Sequence, residues 1–544
     1  MKKELNEKFK NKVYGTNPIT RMDFPDPDVI RVDDTYYMVS TTMHFFPGCE
    51  ILRSYDLINW EHYAFVYESI EGTAAQKLEN ELTKNDGRDD EKVYKHIYGQ
   101  GMWAPCIRYH EGKYYIVFSC NDTKKTYVYT ANSLKGPWTM GTIKGFYHDL
   151  SILFDEGNVY IVYGNTDIHL IQLKPDLSGP LEGGIDRIII RDIDNPNLGY
   201  EGSHIYKHDG RYYVFLIHSL KSEWRRVEAV FSANDLNGEF VGGDILNDDL
   251  GFRNSGIAQG GMVDDGNGNY YMMLFQDSDA VGRIPHLVPF EFIDGKVVVK
   301  DGKVPRKLET IDIGGEVVSC DSSIKSYEPL MANDDFSYLE KLEKNKYNNR
   351  LYGCFGLKSC WQFSHEPDLD LVSIDNGKFK IKTDRLAVNL FYAKNTLTQR
   401  MIYPKCNASV VIDGSNLNDG DFAGLSAYQG DYAFAGIMKR DGKLYAVMCD
   451  YYNDTDDAWK FDDSECIIRE EFELDKNEIT VSCETVFADE KDECVFSIDG
   501  KKIGDVHKLV FRLDHFTGVR FGLFAYSTKK IGGEAAFSDF QIGK

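Results

Sequence analysis

The stretch DPDVIRVDDTYYMVS, residues 26–40, contains two short patterns that recur along the first half of the chain. The second pattern is a turn, then paired aromatic residues, then a β-branched or apolar run. It occurs as DDTYYMVS (33–40), EGKYYIVF (111–118), EGNVYIVY (156–163), DGRYYVFL (209–216) and GNGNYYMML (266–274). Asp-Gly or Glu-Gly before such a run favours a β-hairpin, because glycine tolerates the positive φ of a tight turn. Each copy therefore predicts a hairpin.

The first pattern is the strand that enters each hairpin, and its five copies align without a gap. They are DPDVIR (26–31), WAPCIR (103–108), DLSILF (149–154), EGSHIY (201–206) and QGGMVD (259–264). The copies begin 77, 46, 52 and 58 residues apart, close to the size of a four-stranded propeller blade with its loops. Because the innermost strand of each blade lines the central axis, Asp26, Asp149 and Glu201 are predicted to share one ring.

The remaining sequence predicts a second, separate β-domain. The blade pattern lapses after residue 304, and alternating strands such as 379–382 and 444–448 follow. We therefore predict an all-β protein with a five-bladed β-propeller over residues 14–320 and a β-sandwich over residues 333–544. The charged stretch 74–95, between the first two blades, is interpreted as a loop or short helix on the rim.

Composition narrows the choice of partners and compartment. The 544 residues carry 62 Lys and Arg against 86 Asp and Glu, a net charge of −24, which makes nucleic acid and anionic membranes poor partners. The chain has no apolar run of about 18 residues, and its first residues lack the apolar core of a signal peptide. Eleven cysteines without zinc or redox spacing are interpreted as reduced thiols. We therefore expect a cytoplasmic protein; the sequence is also compatible with a homo-oligomer.

The three acids predicted to share one ring indicate the type of reaction that the site could catalyse. Like charges in a cleft raise one pKa, and glycoside hydrolysis needs one protonated and one ionised carboxyl group. Each of Asp26, Asp149 and Glu201 alone is an ordinary strand-end acid, but their common offset within the repeats favours a joint function. A sugar-binding propeller without catalysis is the alternative from another class, since its aromatic residues alone would suffice.

The same residues carry a resemblance to a known family. The chain resembles glycoside hydrolase family 43, whose members are five-bladed propellers that cleave xylosides and arabinosides with inversion. The matching segments are 24–61, MWAP (102–105), HDLS (148–151), 200–215 and FQDSDAVGRIPHLVPF (275–290). WQFSHEPD (361–368), NTLTQR (395–400) and DGDFAGLSAYQ (419–429) resemble the concanavalin-like jelly roll that follows the propeller in many β-xylosidases of that family.

The resemblance implies roles for individual residues. Asp26 matches the general base, Glu201 the general acid, and Asp149 the acid that orients Glu201 and raises its pKa. Arg283 matches an arginine that hydrogen-bonds substrate; its alternative role is to neutralise the acidic ring. Trp103 and Phe46 match aromatic walls of the −1 subsite, although core packing is the commoner role for such residues.

Two further positions bear on metals. Gln259, which the resemblance also places among the substrate-binding residues, stands beneath the site where many family members have a histidine, sometimes near calcium. An amide cannot titrate, so no metal is predicted to be essential at the axis and no cofactor is required. In related sandwiches, acids matching Asp335 and Asp539 serve a structural calcium ion, although the residue pattern favours solvated edge acids.

The sequence therefore predicts an inverting exo-glycosidase that releases a terminal pentose, β-1,4-linked xylose or α-L-arabinofuranose, from neutral oligosaccharides. Exo action is expected because the second domain of related enzymes lends a loop to the pocket mouth. A retaining fructan hydrolase on the same type of propeller is a nearer alternative. We discount it because the Arg-Asp-Pro motif of that group is absent from the sequence.

Overall fold

The computed structural model describes residues 12–79, 96–314, 327–452, 464–489, 491–512 and 517–543. Within these ranges the chain is all-β, a five-bladed propeller followed by a two-sheet sandwich, which confirms the predicted fold class. The described helical segments are 3-10 turns of three residues, Asp279–Val281, Lys300–Gly302, Leu369–Leu371 and Leu390–Tyr392. None of the helices described is long or apolar enough to cross a membrane.

Each blade is an antiparallel meander whose first strand lies innermost. Strand β1 (Lys12–Thr16) precedes the blades. The blades comprise β2 (Asp28–Val32), β3 (Thr35–Val39), β4 (Gly48–Ser54) and β5 (Glu61–Tyr67); β6 (Met102–His110), β7 (Lys113–Cys120), β8 (Lys125–Ala131) and β9 (Thr139–Ile143); β10 (Ser151–Asp155), β11 (Asn158–Asn165), β12 (Asp167–Leu173) and β13 (Asp186–Arg191); β14 (Glu201–His208), β15 (Arg211–Ser219), β16 (Arg226–Ala233) and β17 (Val241–Leu246); and β18 (Ile257–Ala258), β19 (Met262–Asp264), β20 (Tyr270–Asp277), β21 (Arg283–Ile293) and β22 (Lys296–Val299).

In three of the five blades, the hairpin between the first and second strands has the tight turn that the sequence predicts. In the second, third and fourth blades the two loop residues both have positive φ, at 111–112, 156–157 and 209–210. This is the backbone of a type I′ turn, whose twist matches that of the flanking strands. In the fifth blade the innermost strand is split into β18 and β19, which both pair with β20.

The apolar residues of the repeats form the packing between blades. Ile152 and Ile161 of the third blade share a buried cluster with Val117 and Val128 of the second, and equivalent clusters join the later blades. The alternation of the repeats thus turns one face of each strand toward the next blade. The ring of blades is held together mainly by this apolar burial.

The sandwich consists of two seven-stranded sheets. Strand β23 (Lys307–Ile311) follows the last blade and pairs with β1. One sheet has the order β24-β27-β36-β29-β30-β31-β32 and the other β25-β26-β37-β28-β33-β34-β35. The strands are β24 (Gln362–Phe363), β25 (Val372–Asp375), β26 (Lys378–Lys382), β27 (Leu397–Arg400), β28 (Lys405–Asn416), β29 (Asp421–Tyr428), β30 (Ala433–Arg440), β31 (Lys443–Asp450), β32 (Ile467–Glu473), β33 (Glu478–Val486), β34 (Glu493–Ile498), β35 (Lys501–Lys508), β36 (Arg520–Ser527) and β37 (Glu534–Gly543).

The exact domain limits of 14–320 and 333–544 stay predictions. The last strand of the fifth blade ends at Val299, and residue 320 lies outside the described residues. The rim segment 74–95 is described only to residue 79, where it forms a turn. Its remaining residues, 80–95, also lie outside the described ranges.

The two domains meet at the side of the propeller that carries the first blade. The backbones of Phe46 and Phe363 exchange two hydrogen bonds, of 2.9 and 2.7 Å. Asp23, which is buried, accepts the backbone N–H groups of Arg283 (2.8 Å) and of Gly518 in the sandwich (2.9 Å). The sandwich is therefore bonded to the segments that lead into Asp26 and Arg283.

A buried ion pair reinforces this junction. The guanidinium of Arg400, on β27, lies 2.6 Å from the Glu50 carboxylate on β4, and both side chains are buried. We expect Arg400→Ala to lower the free energy of unfolding by about 3–5 kcal/mol, because it leaves a buried carboxylate without its main partner. Urea denaturation followed by fluorescence measures this loss. The control is Arg440→Ala, which removes an exposed pair with Glu471 and should cost about 0–1 kcal/mol. If Arg400→Ala costs no more than this control, the junction pair does not stabilise the fold.

Candidate active site

A left-handed residue stands at the entrance to each innermost strand. Asp26 (φ 49°), Asp149 (φ 48°) and Gln259 (φ 60°) are the first residues of their hexapeptides, and in the other two blades the second residue, Ala104 or Gly202, has positive φ. At Gly202 a side chain would also collide, since a Cβ would lie 2.6 Å from the Gln259 side chain. This common kink gives the first residues of the hexapeptides equivalent places around the axis.

Asp26 is held by donors on two sides. The Thr41 hydroxyl donates to Oδ2 (2.6 Å) and the Arg283 guanidinium donates from Nη1 to Oδ1 (2.7 Å). Thr41 in turn accepts the backbone N–H of Ala104 at 2.8 Å, which ties the first blade to the second. Only 4% of Asp26 is exposed. These contacts fix the orientation of the Asp26 carboxyl group.

Asp149 and Glu201 form a second acidic group together with His148. The His148 Nε2 atom lies 3.3 Å from Glu201 Oε2 and 3.6 Å from Asp149 Oδ2. The Asn165 amide donates to Glu201 Oε2 (2.5 Å), and the Gly202 N–H donates to Asp149 Oδ2 (3.2 Å). One side-chain nitrogen or oxygen atom from each of the three residues lies within 4.8 Å of the corresponding atoms of the other two, so the group could hold a metal ion. The structure thus brings Asp149 and Glu201 together, as the repeats predict.

The electrostatics of this group separate the two acids. Burial raises the pKa of Asp149 to about 7, with His148 opposing and the charges of Glu201 and Asp26 adding to the shift. Burial also acts on Glu201, but the hydrogen bond and the charge of His148 outweigh it and hold the pKa of Glu201 below its ordinary value, opposite to the raised pKa that the resemblance implies. Burial disfavours the charged form of His148, yet Asp149, Glu201 and Asp26 raise its pKa to about 9. Near pH 7, therefore, His148 is cationic and Asp149 carries the titrating proton.

The charge of His148 provides a test in the pH profile. We expect kcat/KM to fall as the pH rises through about 7, where the carboxyl pair loses its proton. In His148→Gln this alkaline limb should move up by about one pH unit, because the missing cation no longer lowers the pKa of either acid. The control is His110→Gln, at the far end of β6, which should leave the limb in place. A limb that stays or moves to lower pH in His148→Gln would contradict the account.

Arg283 is the start of a buried chain of charges. Its Nε atom donates to Asp277 Oδ1 (3.0 Å), and Asp277 Oδ2 lies 3.1 Å from Nη1 of Arg226. Both guanidinium groups lie over the ring of Phe275, at 4.4 and 5.2 Å from its centroid. Arg283 contacts Asp26 directly, so it neutralises part of the acidic ring. Its position is compatible with both predicted roles, substrate binding and neutralisation of the acids.

The two predicted aromatic walls differ in their surroundings. Trp103 is half-buried, and its indole lies edge-on to His148 with ring centroids 6.5 Å apart, so it borders the acidic group. Phe46 is only 1% exposed; its ring packs edge-on against Tyr67 and its backbone pairs with Phe363. Phe46 therefore lies in the core at the domain junction, and its part in a sugar subsite stays a prediction.

Gln259 and the candidate calcium acids complete the predicted set. The backbone N–H of Gln259 donates to the buried Glu228 (2.8 Å), and its side chain lies against Gly202. Asp335 accepts two hydrogen bonds from Ser337, and Asp539 accepts one from Gln541. These are local turn contacts rather than a set of six to eight oxygen ligands, so the geometry lends no support to the calcium ion, which stays a prediction.

Several residues of the site carry no signal in the repeat alignment. His148 precedes a hexapeptide, Asn165 ends β11, Asp277 ends β20 and Arg226 begins β16. All four lie at strand ends on the side where the innermost strands begin. The repeats mark only the first residue of each innermost strand. Polar residues at the ends of the second and third strands are a further signal, and they indicate Asn165, Asp277 and Arg226.

Comparison with known proteins agrees with this geometry. The model of "Glycosyl hydrolases family 43" matches residues 15–297, and that of "Beta xylosidase C-terminal Concanavalin A-like domain" matches residues 356–543. A "Beta-xylosidase" from Formosa agariphila is 23% identical over 95% of this chain and 88% of its own length. A "Non-reducing end alpha-L-arabinofuranosidase" from Bacteroides ovatus is 28% identical over 36% of this chain and 35% of its own.

A solved structure is similar over both domains. It is described as "Bifunctional GH43-CE" from Bacteroides eggerthii, with 37% identity, a TM-score of 0.83 and coverage of 98% of this chain. This chain spans 64% of that longer protein. The similarity thus covers the propeller, the sandwich and the junction between them.

Proposed function

This chain belongs to glycosyl hydrolase family 43 and is a glycosidase, and on that premise we propose an inverting exo-enzyme that releases terminal xylose or arabinofuranose. The observation that carries the proposal is the division of the site into two acidic groups. Asp26 is held in place by Thr41 and Arg283, whereas Asp149 and Glu201 lie side by side and Asp149 has a pKa raised to about 7. One acid apart from a pair that carries a titrating proton is the arrangement that a general base and a general acid need.

In the proposed reaction, Asp26 takes a proton from a water molecule that attacks the anomeric carbon. Glu201 gives a proton to the departing glycosidic oxygen, so the C–O bond breaks as the new one forms and the configuration inverts. Inversion requires the two carboxyl groups to stand about 6.5–9.5 Å apart, which leaves room for the water. Asp26 and Glu201 enter from different blades, the first and the fourth.

Asp149 has the role of a proton reservoir and orienting group. An oxygen of Asp149 lies within 4.8 Å of one of Glu201, and Asp149 holds its proton near neutral pH. The proton of the pair passes from Asp149 to Glu201 before each transfer, the pair regains a proton from solvent afterwards, and the proton that Asp26 takes from the attacking water returns to solvent. Arg283 orients the sugar through its guanidinium, and Trp103 packs against the sugar ring.

The proposed substrate is a neutral oligosaccharide that ends in β-1,4-linked xylose or α-L-arabinofuranose. Support comes from similar proteins, which include both a β-xylosidase and an α-L-arabinofuranosidase. The two pentosides offer similar hydroxyl groups to one pocket. Exo action is supported by the sandwich, which bonds to the segments before Asp26 and Arg283 and so borders the site.

A panel of nitrophenyl glycosides tests the proposal. We expect hydrolysis of the β-xyloside, the α-arabinofuranoside or both, and at least a hundredfold lower kcat/KM on the β-glucoside, because its extra hydroxymethyl group must fit a pocket built for a pentose. Binding of xylo-oligosaccharides without hydrolysis of any substrate would instead favour a sugar-binding propeller. Preferred hydrolysis of a hexoside would overturn the substrate class.

A further inference from the structure

An exposed tryptophan lies on the face of the propeller that holds the site. Of the tryptophans described, Trp60 and Trp361 are buried and Trp103 and Trp138 are half-buried, whereas Trp224 is 47% exposed. No other described ring or cation stacks on its indole. An exposed tryptophan is uncommon, because the indole is large and mostly apolar, and it often marks a binding surface.

The strand order places Trp224 at the same end of the fourth blade as Glu201. Glu201 begins β14 and pairs with Ile217 near the end of β15. The turn that follows, residues 220–225, therefore lies at the same end of the fourth blade as Glu201. Arg226, two residues after Trp224, reaches inward and pairs with Asp277. The chain thus passes from the exposed indole to the buried charges of the site within two residues.

Glu223 and Arg225, the residues on either side of Trp224, are held in place by side-chain hydrogen bonds. The Arg225 guanidinium donates to Asp249 (3.0 Å) and to the Asn254 carbonyl (2.6 Å), and the Asn254 amide donates to Glu223 (2.7 Å). Asp249 and Asn254 belong to the loop that leads into the fifth blade. The indole is therefore presented on a braced turn, which reduces the entropy that a ligand must remove on binding. The charges of Arg225 and Asp249 are paired with each other and the Glu223 carboxylate accepts the Asn254 amide, so no cation among these described residues is presented beside the indole for an anionic ligand, which favours a neutral one.

We propose, building on the function proposed above, that Trp224 is a stacking platform for the leaving-group side of a β-1,4-linked xylose oligosaccharide. A pyranose ring in such a chain has a face of C–H groups that packs on an aromatic ring while its hydroxyl groups remain in water. Trp224 belongs to the blade that supplies Glu201, the acid that protonates the leaving oxygen. The platform therefore contacts sugars beyond the cleaved bond rather than the terminal pentose.

Binding to an inactive enzyme tests the platform directly. In the Glu201→Gln background we expect calorimetry to show that Trp224→Ala weakens xylotetraose binding about tenfold, which corresponds to about 1.4 kcal/mol, and that Trp224→Phe restores most of it. The matched control is Tyr109→Ala, since Tyr109 is 46% exposed but lies near the far end of β6; it should bind as the parent does. In the active enzyme, Trp224→Ala should lose more kcat/KM on xylotetraose than on nitrophenyl xyloside, mainly through KM.

The outcomes separate this inference from the proposed function. If xylotetraose binds the Glu201→Gln enzyme and Trp224→Ala leaves its affinity unchanged, the platform is wrong and the proposed function stands. If neither xylotetraose nor xylobiose binds the Glu201→Gln enzyme, the platform is wrong, and hydrolysis of nitrophenyl α-arabinofuranoside by the parent enzyme shows whether the proposed function stands without xylose as a substrate. A loss in Tyr109→Ala equal to that in Trp224→Ala would show a general effect of surface aromatics and would also overturn the inference.

Discussion

Asp26→Asn is expected to lower kcat by about a thousandfold on both xylobiose and nitrophenyl xyloside, within the range that general base catalysis supplies. The amide has nearly the shape of the carboxylate and can still contact Thr41 and Arg283, which bind Asp26 in the parent. It cannot accept the proton of the attacking water. Because the base acts on water, the loss should not depend on the leaving group. Initial rates on the two substrates measure it.

The control for this substitution is Asp33→Asn, at the exposed turn of the first hairpin, which should retain full activity. Thermal unfolding of Asp26→Asn shows whether the fold is intact. Retention of more than a tenth of the parent kcat by a folded Asp26→Asn enzyme would contradict the assignment of the base.

Glu201→Gln is expected to show the opposite dependence on the leaving group. On xylobiose, kcat should fall by about a thousandfold, because the sugar alkoxide is a poor leaving group without a proton. On dinitrophenyl xyloside, whose leaving group is already acidic, the loss should be about tenfold or less. The ratio of the two losses, measured under identical conditions, identifies the acid more specifically than either rate alone.

Glu111→Gln provides the matched control, since Glu111 is an exposed acid in the hairpin turn of the second blade, and it should leave both rates unchanged. Equal losses on the two substrates would mean that Glu201 orients groups rather than donating the proton. Asp149, the other member of the pair, would then become the candidate acid.

The sequence predicts the scaffold well because its signals are local. The turn residues at 111–112, 156–157 and 209–210 favour hairpins through their own backbone conformation, and hairpins that recur at intervals of 46 to 77 residues indicate the blades of a propeller. The common offset of Asp26, Asp149 and Glu201 within those repeats places them around one axis. These parts of the site could be predicted without the structure.

The remaining parts depend on contacts between distant segments. His148, just before the third blade, lies 3.3 Å from Glu201 of the fourth blade, and its charge lowers the pKa of both acids of the pair, but no repeat marks it. The resemblance assigns Phe46 to a sugar subsite, whereas the docking of β24 against its backbone buries it at the domain junction. Asp23 likewise gains its partner Gly518 only when the sandwich docks. Such contacts have no sequence period from which they could be predicted.

The stereochemistry of the first product tests the central claim most directly. Proton NMR of the sugar released from nitrophenyl β-xyloside, recorded before mutarotation, resolves the two anomers. A water activated by Asp26 on the face opposite Glu201 predicts α-xylose as the initial product. Initial release of β-xylose would mean retention, and it would contradict the assignment of Asp26 as a base that acts through water.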